Sequence, residues 1–68
     1  MTQVKVLRET RKGSMLEAKI IKEEHSPYVI EYYISGQFVN REEFPNKSIY
    51  FVEDAALNWI RGIKVLNG

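Results

Sequence analysis

The chain has 68 residues, 44% of them hydrophobic, and ten Lys and Arg balance nine Asp and Glu to a net charge of +1. This length allows one domain, residues 1–68, around one small core, and with no cysteine to supply disulfides or thiolate metal sites, self-association is the expected supplement to that core. The near-neutral balance is far from the basic surface of a dedicated duplex-DNA binder; no apolar run reaches membrane-spanning length, and Met1-Thr2-Gln3-Val4-Lys5 lacks the pattern of a signal peptide, so a cytoplasmic protein is expected.

In chain order, residues 3–10 place Val4 and Val6 on one face, and residues 15–23 place Leu16, Ala18 and Ile20 on one face. Both follow the period of two of half-buried strands. Arg11-Lys12-Gly13 suits a three-residue hairpin loop, which sets Thr10 opposite Ser14, Val6 opposite Ala18, Val4 opposite Ile20 and Lys5 opposite Lys19. After the polar connection Glu24-His25-Ser26-Pro27, residues 28–35 are rich in β-branched and aromatic side chains and form the clearest strand. A two-residue turn at Ser35-Gly36 or Gly36-Gln37 leads into a weaker edge strand over residues 38–43, with Val39 on the face of Ile30, Tyr32 and Ile34.

Beyond Pro45 the period changes. Ile49, Val52, Ala55, Ala56, Trp59, Ile60, Ile63 and Leu66 recur at steps of three and four, which predicts an amphipathic helix over about residues 48–66, capped by Asn46 or Ser48. Glu53 and Asp54 fall towards its positive end and Arg61 and Lys64 towards its negative end. Gly62 marks either close approach to the sheet or an early helix end near Arg61, and a fifth strand over residues 49–52 is the alternative to a helix beginning there. The expected fold is therefore α+β, a four-stranded antiparallel meander packed on one C-terminal helix.

Little chemistry is on offer. One His, one Asp and no Cys provide neither a nucleophile beside a base nor a metal cluster, and the four Gly are scattered rather than gathered into a phosphate loop. Glu23-Glu24-His25 is too small a set of ligands for a metal site. No enzyme activity and no cofactor are expected.

What remains is surface. The sheet face away from the helix is expected to carry Lys5, Leu7, Met15, Lys19, Ile21, Val29, Tyr33 and Phe38, more apolar than a solvated face should be. Tyr50 and Leu57, two turns apart on the outside of the helix, form a second candidate contact. The first expectation is a protein-interaction module acting as a homodimer through Leu7, Ile21, Val29, Tyr33, Phe38, Tyr50 and Leu57. The alternative is a single-stranded nucleic-acid binder, in which Tyr33 and Phe38 stack bases while Lys5, Arg8, Arg11, Lys12 and Lys19 follow the phosphates. Glu9, Glu17 and Glu31 dilute that positive field.

The run Val52-Glu53-Asp54-Ala55-Ala56-Leu57-Asn58-Trp59-Ile60-Arg61-Gly62-Ile63, preceded by Tyr32-Tyr33-Ile34 and Gly36, resembles small proteins of unknown function encoded by marine cyanobacterial phages, over the chain from Tyr28 onwards. The resemblance implies a viral accessory protein made in the host cytoplasm and brings no activity to assign to single residues. In outline, four strands with a terminal helix are also similar to the single-stranded-DNA-binding transcriptional coactivator fold, which forms dimers. No motif is shared with it, so that likeness is one of architecture alone.

Overall fold

The computed structural model describes residues 2–62. Strands β1 (Thr2–Arg11), β2 (Ser14–Lys22), β3 (Tyr28–Ile34) and β4 (Gln37–Phe44) pair as neighbours in one open antiparallel sheet, followed by helix α1 (Ile49–Ile60). The helix lies mainly over β1, β2 and β3, so the expected α+β meander is the observed fold and β1 and β4 are its two edges.

The core forms where the alternating faces of β2 and β3 meet the helical stripe. Ala18, Ile20, Ile30 and Tyr32 from the sheet are fully buried against Val52, Ala55, Ala56, Trp59 and Ile60, and Leu7, Leu16, Tyr28 and Ile49 flank them. Tyr32 and Trp59 meet at 4.7 Å between ring centroids, tilted 53° to each other. Ser48 caps the helix, its hydroxyl accepting from the Phe51 amide at 3.4 Å, and residues 49–52 are helical rather than a fifth strand. The helix ends at Ile60 because Gly62, at φ 78°, takes the left-handed conformation that closes a helix, its amide donating to the Trp59 carbonyl at 3.0 Å. Gly62 is thus the early stop; Ile63, Lys64 and Leu66 lie outside the described residues.

Three expectations are corrected by the turns and the ladder. Lys12 and Gly13 both have positive φ (52° and 81°), the geometry of a two-residue hairpin turn, in place of a three-residue loop. A register change of one residue reverses both faces of a strand, so Leu7 instead of Val6 opposes Ala18, Lys5 opposes Ile20, and Thr10 opposes Met15. Val6 faces Lys19 on the outer face and no Lys5–Lys19 pair exists, while Val4 is the extra residue of a bulge and 44% exposed. In β4, Ser35 and Gly36 form the turn, but a second bulge leaves Val39 unpaired between Phe38, opposite Tyr33, and Asn40, opposite Tyr32. Val39 is exposed and Asn40 takes the inward position expected for it.

The helix dipole is also answered differently. Neither an acid in the first turn nor a base in the last is present; Glu53 pairs with Lys5 at 3.2 Å and Asp54 accepts from Asn58. At the negative end the charge comes from β1, where the Arg11 Nε donates to the Ile60 carbonyl at 3.1 Å.

Candidate interaction surfaces

Among the described residues no second layer lies over the outer face of the sheet, and its charges are arranged in opposed sets. Arg8, Lys19 and Arg41 stand among Glu17, Glu31 and Glu43. Arg8 meets Glu17 at 2.5 Å and Arg41 meets Glu43 at 2.9 Å, while Lys19 faces Glu31 across the ladder and lies 4.4 Å over the Tyr33 ring. The Tyr33 hydroxyl donates to Glu31 at 3.1 Å, and that bond, more than desolvation, raises its pKa by favouring the neutral phenol. Three cations and three carboxylates leave no net field to draw an anion.

The apolar residues of this face separate into two ends. Ile21 and Val29 are buried within the monomer, where with Pro27 and the side chains of Glu31, Arg41 and Glu43 they line a hollow of about 130 Å³. At the opposite end Tyr33 and Phe38 pack edge to face at 5.8 Å with Met15 exposed on the same face; Val39 is exposed at the β4 bulge, while Ile34, opposite Leu16, belongs to the helix-side face. The Ser35 amide donates to the Met15 carbonyl at 2.8 Å, which holds β2 against the Ser35-Gly36 turn.

Of the residues expected to form an interface, then, Tyr33 and Phe38 come together, whereas Ile21 and Val29 are already covered. Leu7 is corrected to the helix side, half-buried against the core. Leu57, four residues after the Lys5-bound Glu53, shares the side of α1 that faces β1 and is half-buried there. Tyr50 is 79% exposed and stands apart from all of these. Among the expected phosphate contacts, Lys5, Arg8, Arg11 and Lys19 are engaged by Glu53, Glu17, the Ile60 carbonyl and the Tyr33 ring in turn. Lys12 projects alone from the hairpin turn.

Sequence reasoning missed a groove beside the helix start. An open concavity of about 380 Å³ is lined by Lys22, His25, Tyr28, Phe44, Pro45 and Lys47, with no carboxylate in its wall among the described residues. The Lys22 ammonium donates to the Glu23 carbonyl at 2.9 Å and also to that of Ser26, which fixes the β2–β3 connection as one wall. Phe44 meets Phe51 at 6.1 Å, and Lys47 lies over the Phe51 ring at 4.7 Å. The signal was divided between two connections more than fifteen residues apart, so no local pattern displayed it. His25 is 3.5 Å from Glu24 with both side chains almost fully exposed, and no group of three or more metal-ligating side chains forms among the described residues.

No family model, no curated protein and no solved structure matches the chain. No helix among the described residues is long and apolar enough to cross a membrane.

Proposed function

We propose that the chain is a small non-enzymatic protein-interaction module that acts as a homodimer. The observation that carries the protein-binding part of the reading is the apolar surface left outside the helix–sheet core, Met15, Phe38 and Val39, exposed at the hairpin end of the sheet; the small core is what favours the homodimer. Contiguous exposed apolar side chains with charged neighbours mark contact surfaces, and a small core gains most from association. The neutral pairing of charges on the outer face favours a protein over a polyanion there. The likeness of the hairpin and helix to marine cyanobacterial phage proteins supports a phage accessory protein in the host cytoplasm. Light scattering behind size exclusion, over a hundredfold range of loading, tests the assembly: the expected mass is twice the 8.0 kDa of one chain, and a constant 8.0 kDa refutes it.

A second reading, single-stranded nucleic-acid binding, is favoured by one observation, the groove of Lys22, His25, Tyr28, Phe44 and Lys47. It combines aromatic rings with cations free of carboxylates in the wall, the composition that stacks bases and follows phosphates. A labelled oligothymidylate should then bind with a steep salt dependence that Lys47→Glu weakens. Equal binding by the variant would remove the groove from consideration.

A further inference from the structure

We propose that two copies of the chain join edge to edge through β1, antiparallel about a two-fold axis at Leu7, to form one continuous sheet. The proposal rests on the homodimer reading and states where its contact lies.

In a hairpin with a two-residue turn the flanking pair, here Arg11 and Ser14, exchanges both hydrogen bonds, and the ladder alternates from there. Arg11, Glu9, Leu7 and Lys5 therefore bond to β2, while the N–H and C=O groups of Thr10, Arg8 and Val6 point away from the sheet. Such a row of unpaired groups is a template for another strand.

Side-chain charge then selects one register. Partners across an antiparallel pair share a face, so a two-fold perpendicular to the sheet must pass through a residue paired with its own copy. An axis at Lys5, Arg8 or Glu9 opposes like charges, and one at Thr10, which would pair Glu9 with Arg11, runs into the turn and sets Arg8 against Lys12. One at Val6 sets Lys5 against Leu7 and forms no charge pair. One at Leu7 sets Lys5 against Glu9 of the second copy twice over, and places Val6 against Arg8. Within this stretch the strand is regular, because the bulge at Val4 lies outside it. Glu9 is exposed, with no ion-pair partner among the described residues, and Lys5 can serve Glu53 and a second carboxylate together since its ammonium has three donors.

The helix side completes the seam. Leu7 and Leu57 are both half-buried beside β1, and their copies would meet them across the axis in one apolar cluster between the two helices. The opposite edge offers no equivalent: an axis at Arg41, Glu42 or Glu43 opposes like charges, and the Val39 bulge interrupts the ladder.

Charge reversal tests this register. Glu9→Lys and Lys5→Glu each turn both pairs into like-charge pairs, so each variant alone should dissociate about tenfold or more readily than the wild type by light scattering. An equimolar mixture restores opposite charges at both positions and should recover a dimer containing one copy of each. Circular dichroism confirms folding. If Lys5→Glu disturbs the fold through Glu53, salt decides on Glu9→Lys alone: added salt should weaken the wild-type dimer and strengthen that of the variant. A wild-type dimer indifferent to Glu9→Lys, or two folded variants that remain monomers when mixed, would overturn the seam while leaving the homodimer reading standing. A wild type that stays monomeric throughout would overturn both.

Discussion

Tyr32 is fully buried beneath Trp59 yet keeps its hydroxyl on Glu42, donating at 2.7 Å. Burial first, and the neighbouring carboxylate second, raise its pKa well above the usual 10.0. A group whose folded pKa is raised contributes stability that is complete below its unfolded pKa and drains away as pH rises beyond it. The protein should accordingly lose stability above about pH 10, and Tyr32→Phe should flatten that loss while costing about 1–2 kcal/mol near neutrality. Urea unfolding of both proteins between pH 7 and 11 measures the two effects; parallel curves would show that Tyr32 does not govern the alkaline limb. At the exposed extreme, Phe38→Ser should cost only about 0.5–1 kcal/mol in the same assay, because the ring is 57% exposed and leaves no cavity but loses its edge-to-face contact with Tyr33.

Among the elements, the hairpins decide most. Lys12 and Ser35 precede Gly13 and Gly36 at φ 52° and 51°, conformations that Asn adopts more readily than Lys or Ser. Lys12→Asn and Ser35→Asn should each stabilise the domain by about 0.5 kcal/mol in thermal unfolding, whereas the three-residue loop would make the first change neutral. Gly62→Ala, at φ 78° and with the Arg11 guanidinium 3.4 Å from the added methyl, should cost about 1 kcal/mol. These positions also explain how far the sequence could be read. The faces of β2 and β3 and the stripe of α1 were legible because apolar periodicity belongs to each element by itself. The face of β1 was not, because turn length sets register and Arg11-Lys12-Gly13 suits either loop. Bulges at Val4 and Val39 leave no sequence signal, and they moved two apolar residues out of the core. For the candidate surfaces the same limit applied: Tyr33 with Phe38 could be foreseen from one hairpin, while the partners of Lys5 and Arg11 lie more than forty residues away on and beside α1.

The described residues form an open sheet with a helix over one side, and two of its features bear on assembly, an edge and an end. The β1 edge has outward backbone groups and self-matching charges; the Ser35-Gly36 end has exposed apolar side chains. In the proposed assembly through the edge both copies of that end stay free, so the dimer would offer two equal contacts to another protein. Amide hydrogen exchange read residue by residue by NMR, at low and high protein concentration, tests the account most directly. The amides of Val6 and Arg8 should exchange quickly in dilute solution and become protected as concentration rises, while those of Leu7 and Glu9 are protected at both. Fast exchange at Val6 and Arg8 in a concentrated sample would contradict pairing through β1.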